Sequence, residues 1–208
     1  MINNNKTSYF FLFLLTMSNI LSFRQINEIE KEIMITSLSK ISSEFSQIIE
    51  NYRTFLYISI ERAVSKNKFP NIFLISKDQV RLLHSLNNNK IISAGLYFGF
   101  IKKGNFYLSL EGAEFLYKQD IFSDFKRLYI NEKGEKSILY GNNILKKMVI
   151  KPPSNLQKQD FLLVFNEIDE IIAIAQSKVE NIKFKQLKSN EIIAVNLSDK
   201  GLYLRKKQ

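Results

Sequence analysis

The 208-residue chain contains no cysteine and a single histidine, His84. Without a thiol there is no disulfide, no thiolate nucleophile and no cysteine-ligated zinc, and one imidazole cannot build a multi-histidine metal centre. Glycine is scarce, seven residues in all, and the first 134 residues hold no glycine-rich loop after a strand of the kind that binds S-adenosylmethionine. Asp120 and Asp124 stand in no catalytic signature. A spanning apolar run is also missing. Tyr9–Met17 (YFFLFLLTM) follows Lys6 like the apolar region of a signal peptide. It falls short of the ~20 residues a membrane helix needs, no small-x-small cleavage site follows, and the chain runs on into the polar stretch Asn27–Glu32. Residues 1–23 are therefore read as an extension outside the fold, with Met17 as an alternative translation start.

Charge of one sign is in excess. Thirty Lys and Arg face twenty Asp and Glu, a formal charge of +10, which favours a polyanion or an acidic membrane surface as partner. The excess is concentrated late in the chain: residues 135–208 carry thirteen basic and eight acidic side chains, against seventeen and twelve in the much longer first part. The carboxy-terminal part is thus the better candidate for a polyanion. Hydrophobic residues make up 45% of the chain, enough for a sizeable core.

Apolar periodicity divides the chain. Ile26, Ile29, Ile33, Leu38, Ile41, Phe45, Ile48 and Ile49 recur at helical spacing between Arg24 and Glu50, with a break near Ser42-Ser43. Arg53–Ile60 and Asn71–Ile75 are rich in aromatic and β-branched residues and read as strands. Ser76 followed by Gln79 has the capping-box pattern, so Ser76–Leu86 reads as a short helix. Ser93–Ile101 and Phe106–Leu110 flank KKGN, whose glycine and asparagine suit a tight hairpin. Glu111–Tyr117 reads as a helix and Lys126–Ile130 as a strand ending in the turn Asn131–Gly134, where a first domain (24–134) gives way to a second (135–208). The second domain is predicted as five strands, Lys136–Tyr140, Phe161–Asn166, Ile171–Ser177, Glu191–Asn196 and Gly201–Arg205. That many strands in so short a segment imply a small barrel, which leaves few unpaired edges. No internal repeat is present, and low complexity is confined to Asn87–Asn89.

Three stretches, SILYGNNILKK, VFNEIDEIIAIAQ and the terminal NLSDKGLYLR, together resemble a PUA domain, the RNA-binding module named after pseudouridine synthases and archaeosine transglycosylases. The preceding SAGLYFGFIKKGNFYLSLEGAEFLY, with LYINEKGEKSILYGNNILKK after it, resembles the junction in the nuclear import protein seven family of ribosome-biogenesis factors, on Gly95, Phe98, Gly99, Leu139–Asn142, Leu145 and Lys146. The likeness spans about residues 24–205, is closer to archaeal members, and leaves residues 1–16 without a counterpart and Arg53–Lys68 loosely matched. It implies an α+β protein: an amino-terminal α/β domain, an antiparallel sheet with flanking helices, followed by a small mixed β-barrel. It further implies no catalysis and no cofactor, metal or small-molecule substrate. The partners it implies are pre-rRNA or single-stranded RNA through the second domain and other large-subunit assembly factors through the first. The setting would be the cytoplasm, or the nucleolus in a eukaryote.

The candidate RNA-binding residues follow from this. A corner at Gly141 lets backbone N–H groups approach a phosphate that a β-carbon would obstruct, Asn142 and Asn143 add side-chain donors, and Lys146 and Lys147 lie further along a short helix where they neutralise phosphates. The plainer alternative is a structural turn followed by a solvated face. Arg205, Lys206 and Lys207 follow a strand that, in a closed barrel, finishes near the first one. Lys183 and Lys185 alternate with Phe184 and could share one strand face. Glu111 and Glu114, three apart, read as a helix start rather than a carboxylate pair for catalysis, and His84 as a packed residue. Tyr97, Phe98, Phe100, Phe106 and Tyr107 could stack on bases, but strand alternation assigns most of them to the core. Two other functions compete: an RNA-modifying enzyme of the pseudouridine synthase or methyltransferase kind or its targeting subunit, which needs a catalytic domain the first 134 residues are small to supply, and a membrane-associated basic protein, which rests on residues 9–23 alone.

Overall fold

A computed structural model describes residues 22–60, 69–85 and 93–205. The apolar run 9–17, the side chain of His84, and Lys206 and Lys207 lie outside the described residues. The chain divides into two compact units at Leu108/Ser109.

In the first unit, strand β1 (Ser22–Gln25) leads into helices α1 (Glu28–Leu38) and α2 (Phe45–Tyr52). A 3-10 turn, Arg53–Phe55, opens β2 (Leu56–Ile60); β3 (Asn71–Leu74), α3 (Lys77–Ser85), β4 (Leu96–Lys102) and β5 (Asn105–Leu108) complete it. The five strands form one antiparallel sheet in the order β1-β2-β3-β4-β5. Two expectations are corrected here. Ser22 and Phe23, inside the presumed extension, belong to β1, where Phe23 is buried and stacks on Tyr57 across β1 and β2. Four residues are too few for strand periodicity to register in sequence. In the β4–β5 hairpin the left-handed residues are Lys103 and Gly104, not Gly104 and Asn105. Lys102 pairs with Asn105, so a two-residue turn needs positive φ at both positions between them.

Helix α1 opens with a capping box: Asn27 Oδ1 accepts from the Glu30 N–H at 2.9 Å, and the Glu30 carboxylate accepts from the Asn27 N–H at 2.9 Å. Arg24 clamps the same carboxylate through both terminal nitrogens, at 2.7 and 2.9 Å. Burial alone would raise the Glu30 pKa, but the Arg24 and Asn27 hydrogen bonds outweigh it and hold the group below the ordinary glutamate range.

The second unit runs α4 (Leu110–Lys118), β6 (Lys126–Ile130), α5 (Glu132–Leu139), β7 (Ile144–Leu145), a 3-10 turn (Lys146–Met148), β8 (Val149–Lys151), β9 (Phe161–Phe165), β10 (Ile171–Ser177), α6 (Asn181–Gln186), β11 (Ile192–Asp199) and α7 (Leu202–Arg205). Its sheet has the order β7-β11-β10-β9-β6-β8, with β6 parallel to β9 and every other pair antiparallel. The two outermost strands, β7 and β8, are consecutive in the chain and joined by three residues. Three residues reach no further than ~10 Å, so the sheet has to curl until its edges meet. The result is a nearly closed, mixed barrel. Leu128, Ile138, Ile144, Leu162, Val164 and Ile193 fill its core.

Three sequence expectations fail in this unit. Lys126–Ile130, expected to end the first domain, is a central barrel strand paired with β9. Lys136–Tyr140, expected as a strand, lies in and just after α5, which Asn131 caps by accepting the Gly134 N–H at 2.8 Å. Gly201–Arg205, also expected as a strand, forms the short helix α7.

Candidate nucleic-acid interface

Gly141 is the C-terminal stop of α5. Its φ is +87°, its N–H donates to the Ile138 carbonyl at 2.7 Å, and the Asn142 N–H donates to the Ser137 carbonyl at 3.2 Å. This is the Schellman arrangement, in which a left-handed glycine lets the last carbonyls of a helix be satisfied. Both N–H groups that the sequence assigned to a phosphate are therefore spent on the helix. A β-carbon here would meet the Arg205 guanidinium at 3.2 Å.

Arg205 packs over that corner because Asp199 holds it. The two carboxylate oxygens of Asp199 accept from Arg205 Nη1 and Nη2, each at 2.9 Å, and Nη1 also donates to the Leu139 carbonyl at the end of α5. Asp199 is 3% exposed and takes two further donors, the Gly201 N–H and Asn196 Nδ2, both at 2.9 Å. The hydrogen bond to Asp199 raises the Arg205 pKa against the opposing effect of burial. Gly201 makes this approach possible, since a β-carbon there would lie 2.0 Å from the Leu139 carbonyl oxygen. Asn196 extends the node: its Nδ2 reaches the carbonyls of Ile138 (3.2 Å) and Asn142 (3.4 Å), and its backbone N–H donates to Asn143 Oδ1 at 3.2 Å. Arg205 thus ties α7 and β11 to the end of α5.

Lys146 is similarly committed. Its ammonium donates to the carbonyls of Leu187 (2.5 Å) and Lys185 (3.1 Å) and sits 5.7 Å from the centre of the Phe184 ring. It caps the C-terminal end of α6, where a cation complements the exposed carbonyls. The backbone N–H groups of Lys146 and Lys147 donate to Glu191 and Ser189, so the 3-10 turn lies directly against the segment after α6. Lys147 and Lys185 are both exposed. Lys183 pairs with Glu180 at 3.2 Å. Lys183 and Lys185 were expected on one strand face, but they stand on α6, where positions two apart point ~200° away from each other.

Asn142 is exposed and donates from Nδ2 to Ser137 Oγ at 3.3 Å. Beside it Tyr140, which the sequence reading placed inside a strand, is 77% exposed. As the residue just before a helix-terminating glycine, it belongs to the C-cap, where side chains face solvent. That signal was present in the sequence. Glu114 makes ion pairs with Lys118 (2.6 Å) and Lys200 (3.4 Å), while Glu111 lies in the first turn of α4.

Two family models match this chain: "NIP7/UPF0113, pre-PUA domain" over residues 23–110 and "UPF0113 PUA domain" over residues 126–208. The chain belongs to the NIP7/UPF0113 family. The UPF0113 protein of Archaeoglobus fulgidus is 25% identical over 185 residues, which cover 89% of this chain and 95% of that protein. The 60S ribosome subunit biogenesis protein NIP7 of Saccharomyces cerevisiae is 25% identical over 171 residues, 78% of this chain and 92% of that one. In fold, the chain is similar to a conserved PUA domain protein from Thermoplasma acidophilum (TM-score 0.52, 13% identity, 89% and 99% of the two chains). It is also similar to a hypothetical protein from Pyrococcus horikoshii OT3 (TM-score 0.56, 13% identity, 85% and 93%). The family likeness to ribosome-biogenesis factors, the α/β unit followed by a PUA barrel, and the affinity to archaeal members all stand on these matches. Among the described residues of this family member, no helix is long and apolar enough to cross a membrane.

Proposed function

We propose that this NIP7/UPF0113 protein is a non-enzymatic factor in the assembly of the large ribosomal subunit that binds pre-rRNA through its PUA barrel, with the first unit available to other assembly factors. It would act where ribosomes are assembled, in the cytoplasm or, in a eukaryote, the nucleolus. The family relationship over nearly the whole chain supports the assembly role. One observation supports the RNA surface: the Lys146–Met148 turn is hydrogen-bonded to the end of α6 and the segment after it, which brings the element carrying exposed Lys185 against the turn carrying exposed Lys147, a few residues after exposed Tyr140 and Asn142 in sequence. Exposed lysines neutralise phosphates, Asn142 offers an amide, and Tyr140 supplies a ring for a splayed base. Lys183 contributes less because Glu180 already pairs with it, and Lys206 and Lys207 extend the basic character beyond Arg205 in sequence.

The test is a salt series. Replacing Lys147 and Lys185 by Ala should weaken binding to single-stranded RNA and flatten the dependence of log affinity on log salt by about 0.7 per lost contact. The melting temperature should hold, since exposed lysine changes cost within ~0.5 kcal/mol. An unchanged slope in a folded double variant refutes the surface. Crosslinking the tagged protein to RNA in cells tests the class of partner: rRNA fits the assembly role, whereas recovery of tRNA alone would favour the RNA-modification reading.

A further inference from the structure

The first unit exposes a second surface that the reading above does not use. On β5 buried Phe106 and Leu108 alternate with Tyr107, and on β4 Phe100 pairs with Tyr107 while buried Phe98, at the register shift between the Ile72–Gly99 and Phe73–Tyr97 pairs, stacks on Phe106. Phe100 and Tyr107 are direct cross-strand partners, and their rings stack at 5.1 Å with 13° between planes. Phe69, just before β3, continues the row against Phe100 at 6.0 Å and 30°, and the Lys102 ammonium lies 4.7 Å from the Phe69 ring centre. Part of this face is covered by α3, whose Leu83 packs with Phe23, Tyr57 and Phe73. Of the row of Phe69, Phe100 and Tyr107, Phe69 is 36% and Tyr107 45% exposed, with Phe100 half-buried between them. The row ends at the sheet edge. Among the described residues β5 has no strand beyond it, and the outward Phe106 N–H of that edge is taken by Ser37 Oγ of α1 at 2.9 Å.

We infer that this aromatic row is a stacking platform for single-stranded RNA, separate from the barrel surface. Three observations choose the occupant. A ladder of rings ending at an open edge offers the outer face of Tyr107 to one more flat ring, and every base supplies one. Cations accompany the rings: Lys102 lies on the same strand face, its ammonium over Phe69, and exposed Lys103 stands at the hairpin tip. Finally, residues 93–108 and 62–77 contain no Asp or Glu, so nothing there repels a phosphate. An acidic peptide would satisfy the lysines without using the rings, and an apolar peptide the rings without the lysines. RNA uses both.

The experiment uses the full chain and a fluorescent uridine-rich single strand, with the matching duplex as control. Tyr107→Ala should lower affinity for the single strand roughly fivefold or more, the scale of one lost base stack, and Tyr107→Phe should keep it. Binding to the duplex, whose bases are already stacked, should not change. The loss should recur when Tyr107→Ala is added to the Lys147/Lys185 double variant, since the two surfaces act separately; loss from the barrel variant alone would uphold the barrel and overturn this platform. Should Tyr107→Ala melt early, Lys102→Glu with Lys103→Glu at the solvent-facing turn tests the same site. Ultraviolet crosslinking of the unaltered protein should then label the peptide holding Phe100–Tyr107. Competition by polyglutamate as effective as by RNA, or labelling confined to residues after 125, would overturn the inference and leave the face to a protein partner.

Discussion

Gly141→Ala separates the two meanings of the α5 corner. With φ at +87°, an alanine must enter a region that costs L-residues roughly 1–2 kcal/mol. Loss of glycine's freedom in the unfolded chain returns about 0.4–1 kcal/mol, leaving a net destabilisation on the order of 1 kcal/mol. The new methyl also meets the Arg205 guanidinium at 3.2 Å, a tight contact that the side chain can relieve only by shifting off the corner. For a domain of this size, about 1 kcal/mol lowers the melting temperature by roughly 4–8 °C. Circular dichroism melts of the two proteins side by side measure it, with Gly141→Asn as a milder variant because asparagine tolerates positive φ better. RNA affinity, measured well below the melting transition, should stay within about twofold, because the Gly141 and Asn142 N–H groups already serve Ile138 and Ser137 and have no bond to give up. A variant that melts like the original protein but loses RNA would refute the helix-cap assignment and restore the phosphate corner.

Replacing Arg205 by Ala should lower the melting temperature and strip protection from amide exchange at α7, with little change in RNA affinity; RNA loss without a change in stability would make Arg205 a phosphate contact after all. Ile138→Ala, at a fully buried barrel position, should cost about 2–5 kcal/mol in urea unfolding, and a cost near zero would contradict the core assignment. Glu30 is held below the ordinary glutamate range, so its contribution to stability is present above that range and fades as pH falls through its folded pKa. The stability gap between the protein and Glu30→Gln should therefore shrink on acidification from pH 7 to pH 3, and a constant gap would show that the Arg24 clamp is not electrostatic. Purified protein should show neither methyl transfer nor pseudouridine formation on rRNA or tRNA, and turnover by either assay would favour the enzyme reading.

Much of the first unit was legible because its elements are bounded by strong local signals. The break at Ser42-Ser43, the cap at Ser76 and the KKGN turn each act within a few residues, and α2, α3 and the β4–β5 hairpin begin or end there. The second unit was read less well at its two ends, and for one reason. SILY has the composition of a strand, yet Asn131 caps the segment before it and Gly141 stops it, eight helical residues apart. The end signals outweighed β propensity, which spans only ~1 kcal/mol and depends on packing. Of the candidate site, the exposed Asn142, Lys147 and Lys185 are placed on the surface, whereas the roles of Gly141, Lys146 and Arg205 depend on Ile138, Leu187 and Asp199. Lys146 finds the Leu187 carbonyl 41 residues away along the chain and Arg205 finds the Leu139 carbonyl 66 away, although its carboxylate partner Asp199 is six residues before it. No local pattern reports such partners.

This has a consequence for reading charge as a map of RNA contacts. A net charge of +10 predicts a polyanionic partner, but it does not say which cations face it. In this barrel two basic residues are bonded within the fold: Lys146 fastens the end of α6 to the turn between β7 and β8, and Arg205 fastens α7 to the end of α5. A cation that closes the fold cannot also neutralise a phosphate without releasing the carbonyls or carboxylate it holds, and an unpaired buried acceptor costs about 1–3 kcal/mol. Asp199, 3% exposed, would keep the Gly201 and Asn196 donors but lose its countercharge if Arg205 swung out to RNA, and the Leu139 carbonyl would lose a donor. The bonded cations instead fix the positions from which the exposed ones act. Lys147 follows Lys146 on the pinned turn, Lys185 sits at the capped end of α6, and Asn142 lies just past the glycine that Arg205 covers. Preorganisation of this kind reduces the ordering cost of binding. Substituting the bonded pair should therefore disturb RNA binding only as far as it loosens the barrel, while substituting the exposed residues should change affinity in a barrel that stays intact.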